Sequence, residues 1–305
     1  MKRLIVIKSF LLIAFVTLGF IAINPEELRF ISLRLKGTLE RTLRFSYDSL
    51  DVDSFGNFVA YDRDSDVFYV SSIDNPLTGI LYNFSDFRMK KEGFIELAIH
   101  ENIVMAIEEN WYEKKPSVRV FALDLAHMSS KVLYEQELEA RGLPVKNIEI
   151  SPDGQFVGFA VSKVEEKMEN GDKRLFHHTS GAMFHLLDLK TGGVKILIEL
   201  DRVPNDWALG NGGTLLLGFQ DGKIKYVKPQ VGKAIEKEFE QKPETMGFEG
   251  INSLAFLNDH KAAIEDGSGM IYILNLENGR IEAILTDVPS ILRLFTVSDN
   301  LIGIH

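Results

Sequence analysis

Short apolar or alternating stretches, separated by polar turn residues, repeat along most of the chain, and this pattern predicts β-strands. It is clearest over residues 252–285, where four such stretches are separated by turns rich in Asn, Asp and Gly. Runs of this length, bounded by these residues, are typical of strands joined by tight turns. The region therefore predicts one four-stranded antiparallel meander.

The same plan can be followed through the rest of the chain. Four further units are predicted at residues 48–84, 93–135, 146–199 and 206–240. After the fifth complete unit, residues 290–305 hold only two strands, while residues 28–46 form a spare two-strand hairpin. Pairing the two ends in one sheet would complete a sixth blade and remove exposed sheet edges. The sequence thus predicts an all-β fold, a six-bladed β-propeller of four-stranded antiparallel blades whose last blade is closed by the N-terminal hairpin.

Two of these units resemble a known repeat. Residues 151–160 read Ser-Pro-Asp-Gly-Gln-Phe-Val-Gly-Phe-Ala, and Asp188-Leu189 precedes Thr191-Gly192-Gly193. Together with residues 60–70, they resemble the WD-like repeat of TolB-type propellers. The resemblance implies a ring of six or seven blades and often a binding role, without fixing a ligand. The α/β domain that precedes the propeller in TolB has no counterpart in this sequence, so its envelope partners are not carried over.

The N-terminal 24 residues differ from the rest of the chain. Residues 4–23 are apolar except for Lys8, Ser9 and Thr17, and they follow the basic pair Lys2 and Arg3. Twenty helical residues span about 30 Å, enough for a bilayer, and Lys8 is near enough to the cytoplasmic end to extend its ammonium to the headgroups. Small residues suited to signal cleavage are poorly placed. An uncleaved anchor is favoured over a cleaved signal peptide or a buried helix.

These observations divide the chain into a signal or transmembrane anchor at residues 1–24 and a propeller domain at residues 25–305. The basic N-terminus predicts that the propeller lies outside the cytoplasm, either anchored to the membrane or secreted. The chain has a net charge of −10, and the first 24 residues carry three basic and no acidic side chains, so the propeller itself carries −10 − 3 = −13. An acidic body argues against nucleic-acid binding. The absence of cysteine excludes disulfides, thiolate metal sites and a cysteine nucleophile.

Loop lengths indicate where a partner would bind. In a propeller, the loops from second to third strands and the connections between blades share one face, and insertions there are largest at residues 109–115 and 163–181. We expect a protein or peptide to bind this face, although unselected loop variation is an alternative. The candidate binding residues are Trp111, Tyr112, Phe176, His177 and His178. The aromatic side chains could instead pack onto their own blades.

No motif indicates a reaction or a cofactor. Adjacent residues of an extended chain, such as His177 and His178, point in opposite directions, and no third ligand has a fixed spacing, so no metal site is expected. Common hydrolase and nucleotide-binding motifs do not occur. The sequence favours a non-enzymatic binding scaffold. The alternative is a propeller enzyme, a metal-assisted hydrolase or lyase, with carboxylates from several blades converging in the central channel.

Overall fold

The computed structural model describes residues 29–33, 49–87, 93–110, 117–138, 148–168, 175–230, 234–240, 250–286, 293–297 and 300–304. The predicted anchor helix at residues 4–23 and the boundary at residue 24 lie outside them. Within the described part of the chain there is no helix of sufficient length and apolarity to cross a membrane. Helical structure there is limited to short 3-10 turns at Phe84–Phe87 and Asn211–Gly213.

Five four-stranded antiparallel sheets follow one another along the chain, each a meander of consecutive strands. Blade 1 contains β2 (Ser49–Val52), β3 (Asn57–Asp62), β4 (Val67–Ser72) and β5 (Asn75–Asn83); blade 2 contains β6 (Phe94–His100), β7 (Ile103–Asn110), β8 (Ser117–Asp124) and β9 (Ser129–Glu137). Blade 3 contains β10 (Ile148–Ile150), β11 (Phe156–Met168), β12 (Leu175–Asp188) and β13 (Val194–Leu200); blade 4 contains β14 (Asp206–Leu209), β15 (Leu215–Gly218), β16 (Lys223–Lys228) and β17 (Ile235–Glu240). Blade 5 contains β18 (Ser253–Asn258), β19 (Lys261–Glu265), β20 (Ile271–Asn275) and β21 (Ile281–Leu285).

The last sheet corrects the prediction of six four-stranded blades. It has three described strands, β22 (Arg293–Val297), β23 (Asn300–Ile304) and the N-terminal β1 (Arg29–Leu33), in the order β1-β23-β22. The described residues thus form five four-stranded blades and one three-stranded sheet, which we call sheet six. The second half of the predicted N-terminal hairpin, residues 39–46, lies outside the described residues.

The direction of β1 also differs from the prediction. A hairpin closing an antiparallel blade would place its strand antiparallel to β23, but β1 runs parallel to β23, with Arg29 opposite Asn300 and Leu33 opposite Ile304. A short turn forces neighbouring strands to be antiparallel. No short turn joins β1 to β23, because the two strands come from distant parts of the chain, and the parallel pairing is therefore open to them.

Apolar side chains between neighbouring sheets hold the ring together. Each cluster joins two consecutive sheets, from blades 1 and 2 to blade 5 and sheet six. A further cluster packs Phe295 and Ile302 of sheet six against Phe58 and Leu50 of blade 1. Strands that are apolar on both faces, such as β15 with its Leu-Leu-Leu-Gly sequence, fit this arrangement because both faces of an inner strand are buried. The contacts between sheet six and blade 1 close the ring.

The two faces of the ring are distinguished by their turns. The turns between first and second strands, and between third and fourth strands, lie at one end, which we call the mouth face. The turns between second and third strands lie at the opposite end, which we call the ribbon face. It carries the extension of β11 and β12 beyond their blade.

Candidate functional site

Each innermost strand of the ring contributes a polar side chain to the central channel. Three of these are acidic residues between apolar neighbours, namely Asp51, Glu96 and Glu149. The complete set is Asp51 of β2, Glu96 of β6, Glu149 of β10, Asp206 of β14, Ser253 of β18 and Arg293 of β22.

Arg293 is the cation at the centre of this group. Its Nη2 lies 3.1 Å from Oε1 of Glu149 and 3.6 Å from Oδ1 of Asp51, and its Nη1 donates to the carbonyl oxygen of Leu50 at 2.5 Å. Burial would lower the pKa of Arg293, but four surrounding carboxylates outweigh that effect and raise it above its ordinary value. They are Asp51, Glu149, Asp206 and Glu96. The guanidinium is therefore held charged at the meeting point of several blades.

Three of these acidic side chains and Ser253 connect their blade to the next one. Asp51 Oδ2 accepts a hydrogen bond from the backbone N–H of Ile99, 3.0 Å away in blade 2. Glu149 accepts from Leu209 at 2.6 Å, and Asp206 accepts from Leu254 at 2.7 Å. Blade 5 is joined to sheet six by Ser253 Oγ, which accepts from the N–H of Leu294 at 2.9 Å. These groups act first as links between blades, because they satisfy buried backbone donors.

A second set of links lies in the turns of the mouth face. Asp53 Oδ2 accepts a hydrogen bond from the N–H of Glu101 at 2.6 Å, and Asp153 Oδ2 accepts from the N–H of Gly212 at 2.9 Å. Burial acts to raise the pKa of Asp153, but hydrogen bonds from Ser151, Gly212 and Gln155 outweigh it, so that the pKa is lowered. The Ser-Pro-Asp-Gly turn noted in the sequence therefore fastens blade 3 to blade 4.

The ends of the inner strands enclose a small cavity at the mouth face, with a volume of about 80 Å³. Its polar lining includes Asp51, Asp53, His100, Glu149 and Thr296. At its edge the exposed ring of Phe55 meets His100 edge-on, with ring centroids 5.6 Å apart. A volume of this size holds about two or three water molecules at roughly 30 Å³ each.

Gly154 allows the turn of blade 3 to approach this cavity. Its φ of +65° lies in the left-handed region, and a Cβ there would come within 2.5 Å of Nε2 of His100. Any other residue would therefore meet both backbone strain and a collision. Gly154 therefore leaves room for the ring of His100 at the edge of the channel mouth.

On the opposite face, the predicted loop at residues 163–181 is largely a β-hairpin, which corrects its description as a loop. β11 continues to Met168 and β12 begins at Leu175, and positions 164–168 pair with 175–179 beyond the limits of β10 and β13. We call these ten residues the ribbon. Five paired residues per strand extend about 17 Å. Since only two strands are present there, both outer edges of the ribbon lack strand partners within the described part of the chain.

The candidate binding residues are placed only in part. Phe176, His177 and His178 lie in β12, with their backbones opposite Lys167, Glu166 and Glu165. Their side chains are not among those described, and Trp111 and Tyr112 lie outside the described residues. Since β7 and β11 both end at the ribbon face, the chain segments that carry these residues emerge from the same face. Their role in binding stays a prediction.

A buried ion pair supports the loop that carries Trp111. Glu108 is fully buried on β7, and its Oε2 lies 2.5 Å from Nη2 and 3.1 Å from Nε of Arg119, the residue opposite on β8. Glu108 Oε1 also accepts the N–H of Gly93 at 3.0 Å. The base of this loop is therefore fixed by charge-assisted hydrogen bonds between three segments.

Another acidic pair lies at the ribbon face of blade 5. Glu265 and Asp266 are each 1% exposed. Burial raises the pKa of Glu265, against the lowering effect of hydrogen bonds from Asn252 and Gly267. Asp266 accepts from the hydroxyl of Tyr272 at 3.0 Å and from Ser268. Both carboxyls are therefore committed to holding the turn.

The described residues contain no group of three or more His, Asp or Glu side chains arranged to hold a metal ion. The channel carboxylates instead contact backbone N–H groups and Arg293. The sequence allows carboxylates of several blades to converge in the channel, but it does not identify these residues, because they are far apart in the chain, Arg293 and Glu149 being 144 positions apart. The available signal was a single acidic residue between two apolar ones in a first strand, as at Asp51 and Glu149.

No protein-family model and no curated protein sequence matches the chain. The resemblance to TolB-type propellers therefore stays a prediction. Among solved structures, the chain is similar to hydrazine synthase from Kuenenia stuttgartiensis, with a TM-score of 0.52 and 10% sequence identity over 83% of this chain and 78% of that chain. At this identity the similarity concerns the fold alone. It supports the assignment of the chain as an all-β propeller built of four-stranded antiparallel blades.

Proposed function

We propose that this protein is a non-enzymatic propeller that binds a protein or peptide on its ribbon face. The observation that carries the proposal is that the acidic side chains of the channel are engaged in contacts within the fold. They accept hydrogen bonds from neighbouring blades or pair with Arg293. Pockets for small organic ligands usually measure about 300–1,000 Å³, whereas the cavity at the channel mouth measures about 80 Å³.

The ribbon face offers a better basis for recognition. The edges of a two-stranded ribbon present N–H and C=O groups that can pair with an extended peptide, and side-chain pockets then supply specificity. The loop at residues 109–115 emerges nearby from the rigid Glu108–Arg119 pair. A rigid base lowers the entropy lost when a loop binds a partner. We therefore place the partner site on the ribbon and this loop.

The proposal includes a location. Residues 4–23 form a membrane anchor or signal, and the propeller lies outside the cytoplasm, tethered or secreted. The support is the apolar stretch after Lys2 and Arg3 together with the acidic, cysteine-free body. Nucleic acid is not an expected partner, because the body carries a net negative charge.

Crosslinking and affinity purification of the full-length protein from its native membrane test the binding role. In one variant, residues 164–179 are replaced by a two-residue turn that rejoins β11 and β12 at the edge of the blade. In the control, a turn of the same blade on the mouth face, residues 190–192, is replaced by Asn-Gly-Gly. We expect a specific protein or peptide to be captured by the parent and the control and lost from the ribbon variant.

Residues 164–168 and 175–179 pair with each other and not with β10 or β13, so the replacement leaves the strand pairing within blade 3 intact. A thermal melt checks that the variant is folded. Capture that is equal in all three proteins would contradict the proposed site.

A second candidate is an enzyme with a metal in the channel, favoured by the four carboxylates around Arg293. The structurally similar hydrazine synthase is, by its name, an enzyme. Elemental analysis of the purified protein, repeated on Asp51→Asn and Glu149→Gln variants, tests it. Stoichiometric metal that is lost from folded variants would favour the enzyme, whereas equal, trace metal in all samples would favour the scaffold.

A further inference from the structure

The direction of β1 determines the face from which the preceding chain leaves the propeller. Arg29 pairs with Asn300, and Asn300 directly follows the turn between β22 and β23. That turn belongs to the mouth face, because β22 lines the cavity there through Leu294, Phe295 and Thr296. The chain before Arg29 therefore joins the propeller at the mouth face.

Only a short segment separates this point from the apolar stretch. Residues 24–28 lie between residue 23 and Arg29. Five residues span at most about 18 Å, whatever their conformation. In addition, β1 is two strands away from the channel-lining β22, a distance of roughly 10 Å. The attachment point is thus close to the channel mouth as well as to the apolar segment.

We infer that the anchored protein holds its mouth face toward the bilayer and its ribbon face toward the aqueous phase. The inference rests on the proposed anchor. A folded domain of 100 residues has a radius of gyration of about 13 Å and hence a diameter of roughly 30 Å, so it does not fit a gap limited by an 18 Å connection. Folded partners are therefore excluded from the channel mouth beside sheet six and reach the ribbon face freely.

The short connection at residues 24–28 accounts for this orientation, and attraction between the mouth face and lipid headgroups does not. The mouth face carries exposed carboxylates, among them Asp74, Glu101 and Asp259. Anionic lipid headgroups attract basic segments and repel acidic ones. The mouth face is accordingly held near the membrane surface without being inserted into it.

The absence of cysteine allows a direct test, because a single introduced cysteine can be labelled uniquely. Asp64 and Asp74 form a matched pair of exposed aspartates in turns of blade 1, which packs on sheet six. Asp64 lies in the β3–β4 turn at the ribbon face, and Asp74 lies in the β4–β5 turn at the mouth face. The six-residue β4 separates them by about 20 Å.

Full-length Asp64→Cys and Asp74→Cys variants carry a fluorophore and are reconstituted in vesicles that contain a headgroup-attached energy acceptor. We expect several-fold more efficient transfer from position 74 than from position 64. Equal transfer, or more from position 64, would overturn the inference while the anchor stands. Release of the protein from vesicles by alkaline washing would remove the anchor and with it this inference, whereas the crosslinking experiment would still decide the binding role.

Discussion

At the scale of single residues, burial of ionisable groups predicts how the fold responds to pH. His185 is 4% exposed and stacks on Phe159, with ring centroids 4.9 Å apart and planes 7° apart. Its Nδ1 has no hydrogen-bond partner among the described residues. Burial lowers the pKa of His185, and a hydrogen bond with the backbone of Met183 only partly opposes this. The folded protein therefore holds this ring neutral.

We expect His185 to destabilise the protein at acid pH. The unfolded chain takes up a proton near pH 6.5, before the native ring does, so stability falls as pH drops below that value toward the native pKa. Each unit by which the pKa is lowered contributes about 1.4 kcal/mol to this loss. Melting temperatures of the parent and His185→Phe, compared at pH 7.5 and 5, should show a smaller acid decrease in the variant. The exposed His127, replaced by Gln, serves as control and should leave the parent's profile unchanged.

At the scale of elements, the buried ion pair between Glu108 of β7 and Arg119 of β8 predicts that substitutions of the two side chains are not additive in their effect on stability. Removing one partner of a buried ion pair leaves an uncompensated charge and costs about 3–5 kcal/mol. We expect Glu108→Gln and Arg119→Met each to lower the free energy of unfolding by an amount in this range. The double variant should lose less than the sum, because neither charge remains. Strictly additive losses in chemical denaturation would show that the two side chains do not stabilise one another.

The strands also show what the sequence could and could not reveal. The pattern over residues 252–285 predicts all four strands of blade 5, because its turns use local signals such as Gly267 and Gly279, both with positive φ. The length of the insertion at residues 163–181 predicts a loop, and residues 163–167 are mostly charged. A two-stranded ribbon outside the core does not need an apolar face, so periodicity gives no signal there. Its pairing depends on β11 and β12 staying paired beyond a register shift between Lys163 and Val164, which only the fold displays.

The sequence allows carboxylates to converge in the channel, but it could not identify the residues that do so, for a different reason. Its members come from strands of different sheets, and their proximity depends on how the ring closes. Asp51 and Glu149 could have been noted as acids within apolar strands, but nothing local indicates that Arg293 lies between them. Likewise, the two ends of the chain were expected to share a sheet, as they do, whereas the parallel direction of β1 could not be read from its sequence.

At the scale of the whole molecule, Arg293 is expected to stabilise the ring as a unit. Its guanidinium connects sheet six to blade 1 through Leu50 and Asp51 and to blade 3 through Glu149. Replacing it by methionine leaves the surrounding carboxylates without their cation, at a cost of about 3–5 kcal/mol. Arg202→Met is a suitable control, because Arg202 is a surface residue whose pair with Asp221 contributes at most about 1 kcal/mol. Equal melting temperatures of the two variants would contradict a central role for Arg293.

Closure by β1 predicts a second whole-molecule effect. A chain beginning at residue 48 lacks β1, whereas one beginning at residue 25 retains it. We expect the shorter chain to melt roughly 5 °C or more below the longer one, because losing the strand exposes the edge of β23 and costs about 2 kcal/mol. Calorimetry of both proteins measures this difference. Coincident melting curves would mean that β1 does not contribute to closure.

The parallel pairing of β1 with β23 also has a mechanical consequence. If the protein is anchored as proposed, a pull on its N-terminal segment acts along β1, which begins at the mouth face. The force is then parallel to the strand and loads its ladder of hydrogen bonds with β23 in shear, so that the bonds resist together. A strand peeled from its end would lose the same bonds one at a time under a smaller force. The proposed anchor would thus attach the protein at the point where its ring closes, in the direction in which that closure best withstands tension.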